Sequence, residues 1–274
     1  MVRYLIFGNG WLGNKLQKDL PEAVLSLADI TSRQAVHNAI EQHKPSFVIN
    51  AAGKTGKPNI DWCEDHITET FASNVKGPIM LRDVCLEQKV NLVHIGSGCI
   101  YDGDNGGMGY SEEDEPNYSG SFYSRTKIWA EKALKGYNVL QLRLRMPVDK
   151  EPSERNLITK LTKYQRIIDI PNSMTVIDDF LYATKTLMEK ECRGIYNITN
   201  QGALGHARIL ELYREIVDPS FQFSIMSMKE LLTITKAGRS NCILNTEKLQ
   251  KEGIILPPIE EAMKRCLREY RRNH

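Results

Sequence analysis

The chain is predicted to be an α/β protein: a Rossmann-type doubly wound parallel sheet carrying a smaller C-terminal lobe. Three observations predict it. Strand-length apolar runs alternate with amphipathic stretches through the first half, the pattern of repeated βα units. A glycine-rich turn follows the first run directly, and beyond Pro147 the alternation breaks into short pieces at Pro152, Pro171, Pro219, Pro257 and Pro258. With 274 residues, 41% hydrophobic and 26% charged, the chain can fill one large or two smaller cores, which excludes fibrous and disordered classes.

Taken in order, the strands are expected at 4–7, 23–27, 46–50, 92–95 and 139–144. Between the third and fourth, Phe71, Val75, Ile79, Leu81, Val84 and Leu86 recur at helical spacing and predict a helix over 71–88. A second helix is expected over 123–134. The first unit is placed at 1–147, receiving 174–199 as well. The lobe capping the carboxyl ends of the strands takes 148–173 and 200–274.

Gly8, Gly10 and Gly13 form a G-x-G-x-x-G that closes the first strand and opens a helix through Trp11 and Leu12. In that context the glycines permit a tight turn and close approach of backbone to a pyrophosphate, which the helix start then binds. The second strand ends without the acidic residue that grips a ribose 2′-hydroxyl; Asp29 follows later, with Ile30, and both are expected at the adenine edge. That absence favours NADPH, with NADH as the alternative. Ala51, Ala52 and Gly53 end the third strand with small residues where a cofactor passes close to the backbone.

Tyr123 and Lys127 stand four apart, one helical turn, so the ammonium can sit beside the phenol. A neighbouring cation favours phenolate, and the tyrosine is expected to exchange protons near neutral pH. Ser97 would hydrogen-bond the same substrate oxygen. Together they suit hydride transfer to a ketone. Cys99 alone reads as a small buried hydrophobe. Two positions from Ser97 on one strand, period-two alternation would turn it toward the same site, where a thiolate could remove a proton beside that ketone.

The net charge of +2 argues against a nucleic-acid footprint, and the basic end Arg268, Arg271 and Arg272 reads as the last turn of a helix complementing its dipole. No apolar run approaches membrane-spanning length and no signal-type leader is read, so a cytoplasmic protein is expected. Six scattered cysteines lack C-x-x-C pairs and six histidines lack ligand spacing, so neither disulfide framework nor metal site is expected.

On these motifs, with Gly96–Ile100, Gly120–Lys127, the Arg143-Leu144-Arg145-Met146-Pro147 run and 156–160, the chain resembles the extended short-chain dehydrogenase/reductases. More narrowly it is similar to the nucleotide-rhamnose synthases, bifunctional 3,5-epimerase/4-reductases acting on a UDP- or dTDP-linked 4-keto-6-deoxyglucose. The resemblance implies Ser97, Tyr123 and Lys127 as the reducing residues and Cys99 with Lys160 as the epimerising pair. It places substrate contacts at Thr55, Asn59, Trp62, Asn156 and Arg239, and by analogy a homodimer. Related GDP-fucose synthases use a histidine where this chain offers Lys160, which favours the rhamnose branch. Lys160 by itself is a solvated helix lysine, and its role rests on the match. Two other readings stand beside it: a reductase acting on sugar epimerised elsewhere, and a cofactor-binding regulatory subunit.

Overall fold

The computed structural model describes residues 3–273. β1 (Tyr4–Phe7) leads to α1 (Trp11–Asp19), β2 (Ala23–Ser26), α2 (Arg33–His43) and β3 (Phe47–Asn50). Short helices α3 (Asp61–Asp65) and α4 (Ile67–Phe71) pass through a π-helical turn at Ala72–Lys76 into α5 (Gly77–Glu87). β4 (Asn91–Ser97), α6 (Phe122–Leu134) and β5 (Val139–Leu144) follow. The remainder comprises β6 (Pro147–Val148), α7 (Leu157–Leu161), β7 (Arg166–Ile167), β8 (Thr175–Val176), α8 (Ile177–Glu189) and β9 (Gly194–Asn197). After these come α9 (His206–Ile216), β10 (Ser224–Ile225), α10 (Met228–Ile234), α11 (Glu247–Lys251) and α12 (Ile259–Asn273).

Six parallel strands form the main sheet in the order β2-β1-β3-β4-β5-β9. β1 shows why both faces are covered. Its four residues are all buried, with Tyr4 and Ile6 packing toward α1 and α8 while Leu5 and Phe7 pack toward α2 and α5. The order in which successive strands are added reverses between β1 and β3, so their carboxyl ends open the crevice where doubly wound sheets take ligands. A second core gathers residues between Val148 and Tyr270, where Leu210 and Ile209 of α9 join Met263 and Leu267 of α12.

The expected helix over 71–88 is divided. Pro78 lies at the start of α5, where its missing N–H costs nothing, and the π turn before it aims Asn74 sideways toward Lys54. The fourth strand runs further than its apolar run, to Ser97. A short strand at 194–197, opening on Gly194, joins the sheet beside β5.

Arg143 of β5 is 1% exposed and makes a two-pronged ion pair with Glu131 of α6, at 2.7 and 2.8 Å. Its guanidinium also reaches Ser111 O and Asn197 Oδ1. Removing one partner of such a pair leaves a buried charge without compensation. We expect Glu131→Ala to lower stability by about 3–5 kcal/mol, read from urea unfolding.

Candidate active site

At the carboxyl end of β1, Gly8 has φ +108°, and a Cβ there would meet Ala52 N at 2.4 Å. A Cβ on Gly13 would meet Gly8 O at 1.9 Å. The two glycines therefore let turn, helix and β3 loop close on one another. Gly10 differs: nothing lies within 4 Å of its missing Cβ, and it caps α1 with no side-chain hydrogen bond. Open space in front of uncapped helix N–H groups fits a dinucleotide pyrophosphate. Trp11 and Leu12 pack half-buried against the core beneath it.

Asp29 turns its carboxylate back on Thr31, accepting from N at 2.9 Å and Oγ1 at 2.8 Å, and these bonds hold it below the usual carboxylate range. The Ile30 side chain goes into the core, 5% exposed, against the α-carbon of Gly77. Asp29 thus completes its own turn just beyond β2, while the Ile30 side chain packs beside the sheet. Ala51 and Ala52 line the β3 end, and a Cβ on Gly53 would stand 3.8 Å from Lys127 Nζ. Asn74 fixes this stretch, accepting from Lys54 N at 2.7 Å and donating to Lys54 O and Thr126 Oγ1.

Ser97 ends β4, and Tyr123 and Lys127 come from the first turns of α6. Ser121 caps that helix, and the Glu64 carboxylate of α3 accepts from Phe122 N at 2.6 Å. Lys127 is 8% exposed and donates to Ile95 O at 3.3 Å. Burial lowers its pKa to about 8. The Lys127 ammonium lies 5.9 Å from the centre of the Tyr123 ring. Burial pushes the phenol up, the nearby Cys99 adding to it and the Ser97 hydroxyl acting the other way. Desolvation is the largest influence on the phenol and favours its protonated form, that of a proton donor.

Cys99 is not on the strand. β4 stops at Ser97, whose Oγ accepts from Cys99 N at 3.1 Å and turns the chain there. The sulfur still faces polar surroundings, because Arg145 Nη1 lies 3.1 Å from it, and it stands near enough to Tyr123 and Lys127 to influence both. Cys99 and the reducing residues share one chamber.

Arg155 Nη1 donates to Thr55 Oγ1 and Gly56 O, both at 2.7 Å, joining the loop after β3 to the turn before α7. Lys160 on α7 is half-buried, its pKa lowered by burial and then by Arg155. Asn156, expected at the substrate, is 0% exposed. Its Oδ1 accepts from Asp149 N and Ile158 N, and its Nδ2 donates to Asp149 O and Glu151 O. With the amide fully used in capping α7, it sets the helix that bears Lys160 and makes no contact of its own.

Asn59 Oδ1 caps Asp61 N at 2.8 Å, and Trp62 stacks on His66 at 3.8 Å with Lys54 Nζ 5.8 Å from its ring. Asp61 accepts from Arg239 Nη1 at 2.9 Å and Ala237 N at 3.0 Å, and these bonds offset burial to hold its carboxyl below the usual range. Asn59, Asp61 and Arg239 line a cavity of about 590 Å³, with Met146, His206 and Asn241 across from them. Among the described residues, no group of three His, Cys, Asp or Glu side chains could hold a metal ion. No described helix is long and apolar enough to cross a membrane.

Sequence reasoning passed over Arg145, Arg155 and Asn172, which organise the chamber. Arg145 had a signal. A second arginine directly beyond an apolar strand, at the sheet edge where ligands bind, calls for a function other than solvation.

A Rossmann crevice meeting a Ser-Tyr-Lys set defines a dinucleotide-dependent dehydrogenase/reductase. A family model described as the RmlD substrate binding domain matches residues 2–272, and the chain belongs to that family. It is 42% identical over 273 residues to a bifunctional dTDP-4-dehydrorhamnose 3,5-epimerase/dTDP-4-dehydrorhamnose reductase of Arabidopsis thaliana, covering 95% of this chain and 90% of that one. A trifunctional UDP-glucose 4,6-dehydratase/UDP-4-keto-6-deoxy-D-glucose 3,5-epimerase/UDP-4-keto-L-rhamnose-reductase of the same plant is 39% identical over 274 residues. This chain spans 41% of its length. The crystal structure of a UDP-rhamnose synthase from Acanthamoeba polyphaga mimivirus superposes with TM-score 0.93 at 34% identity, covering 97% of this chain and 99% of that one.

Gly10→Ala should separate binding from folding. The extended backbone of Gly10 accepts a Cβ, so stability should change by no more than about 1 kcal/mol, whereas NADPH affinity should fall by about tenfold as the methyl enters the phosphate space. Thermal unfolding and fluorescence titration read the two effects.

Proposed function

We propose that this protein is an NADPH-dependent 3,5-epimerase/4-reductase that converts UDP-4-keto-6-deoxy-D-glucose to UDP-L-rhamnose. The observation that carries the reading is the Cys99 sulfur in the same chamber as Tyr123 and Lys127, held by a guanidinium. A reductase acting on sugar epimerised elsewhere needs only Ser97, Tyr123 and Lys127. The relatives whose names couple epimerisation to reduction add weight to the fuller reading.

Each carbon to be inverted lies beside the C4 ketone, which makes its proton acidic. Cys99 removes that proton while Ser97 and Tyr123 hold the oxygen that gains the electron pair. Lys160 returns a proton from the opposite face. NADPH, when bound, supplies the hydride for C4. Tyr123, kept protonated by burial, donates its proton to the C4 oxygen, and Lys127 beside Gly53 is placed to meet the nicotinamide ribose. Arg239 has further N–H groups beyond those used on Asp61 and Ala237, suited to the diphosphate of a substrate in the large cavity. An exposed apolar face supports pairing of two copies: Ile67 and Phe71 of α4 lie with Trp129 of α6, which meets Phe71 edge-on at 5.9 Å.

Incubation with the UDP-linked and dTDP-linked ketones in deuterated water tests the reading by NMR. Deuterium should enter at C3 and C5 with the UDP sugar, and Cys99→Ala should abolish this while reduction of the epimerised ketone persists. Full incorporation by Cys99→Ala would remove Cys99 as the base, and no incorporation by the wild type would leave a reductase alone. NADPH consumption with either ketone excludes a regulatory subunit.

A pH dependence follows from Lys127. The ammonium is present below about pH 8 and lost above it, so kcat/KM for reduction should fall as pH rises through that value. Unfolding would not explain the fall. The unfolded chain holds this proton up to the ordinary lysine value, so between the two values the Lys127 contribution to stability grows with pH.

A further inference from the structure

Two buried arginines stand two residues apart at the end of β5, and their charges are balanced differently. Arg143 has the Glu131 carboxylate. Arg145, also 1% exposed, forms no ion pair with a carboxylate among the described residues. Its Nη2 donates to Asn172 Oδ1 at 2.5 Å and Ser240 O at 2.6 Å, both neutral. Its Nη1 donates to the Cys99 sulfur at 3.1 Å. A guanidinium cannot shed its proton in a protein interior, so burial without an anion is costly.

We propose that Arg145 is the positioning residue of the epimerase step, holding Cys99 as the thiolate that accepts the substrate proton. This rests on the epimerase reading above. The anchors on Nη2 leave the guanidinium edge that carries Nη1 turned to the sulfur. Asn172 is itself fixed, accepting from Cys242 N and donating to Ile170 O and Asn241 Oδ1. Gly98 completes the fit, because a Cβ there would meet Arg145 Cδ at 3.3 Å and Leu244 Cδ1 at 2.7 Å. The other ionisable groups facing Cys99 are Tyr123 and Lys127 of α6, Tyr118 of the preceding loop and Cys242. Of these only Lys127 is a cation, and among the described residues Arg145 alone donates a hydrogen bond to the sulfur.

In the step itself, a C–H bond at C3 or C5 breaks and an S–H bond forms on Cys99, while the electron pair passes to the C4 oxygen as enolate. Lys160 gives a proton to the opposite face of the same carbon. Solvent then takes the thiol proton and restores that of Lys160, returning the anion to Arg145. No oxidant or reductant enters this exchange.

The test compares two rates in wild type, Arg145→Met and Arg145→Lys: deuterium entry at C3 and C5 of the UDP-linked ketone, and NADPH oxidation with the already epimerised ketone. Arg145→Met should lose about 100-fold more of the exchange than of the reduction. Arg145→Lys should recover about tenfold of the exchange. Equal loss of both rates, with no recovery of the exchange in Arg145→Lys, would overturn the proposal. If Arg145→Met does not fold, Arg145→Lys decides: exchange lowered more than reduction supports the role, and equal loss removes it. Absence of exchange in wild type would instead overturn the epimerase reading itself.

Discussion

The buried ion pair between Arg143 and Glu131 fixes the distance between β5 and α6, and the rest of the site is laid out from that distance. α6 carries Tyr123 and Lys127; β5 runs on into Arg145. The same guanidinium takes Asn197 of β9 and a carbonyl of the loop before α6, so sheet edge, helix and loop share one anchor. Burying such a pair gains little over apolar packing, but it admits few alternative arrangements, which suits a strand whose next residue must meet a sulfur.

Around the reacting centre the charges follow one logic. Lys127 and Arg145 are cations withdrawn from water, and neither has a carboxylate within ion-pair distance among the described residues. Tyr123 is a neutral acid. Electron density that develops on a substrate oxygen therefore meets fixed positive charge and a proton donor in a medium that screens them weakly. Carboxylates are kept to the rim, where Asp61 orients Arg239 and Glu64 caps α6.

Much of this was legible in the residues. The apolar runs located five strands of the main sheet to within a few positions, because parallel strands covered on both faces are written as unbroken hydrophobic stretches. The glycine turn and the Tyr123–Lys127 spacing are local, and local geometry can be read without coordinates. What could not be read depends on partners distant in sequence. Asn156 looks polar and available until Asp149 and Glu151 are seen to occupy its amide. Ile30 and Asp29 follow packing and turn chemistry that the strand pattern does not encode. Cys99 reaches the chamber through a turn and an arginine 46 residues away, where strand alternation had offered a simpler route.

Asp61 belongs to the N-terminal half, yet it grips Ala237 N and Arg239, and its neighbour Asp65 pairs with Lys236. The wall of the large cavity is thus sewn to the opposite lobe. Lobe exchange between relatives is consequently not a cut at the strand ends: a chimera that imports 228–241 must import its acidic fasteners too, or the transplanted wall arrives with nothing to hang from.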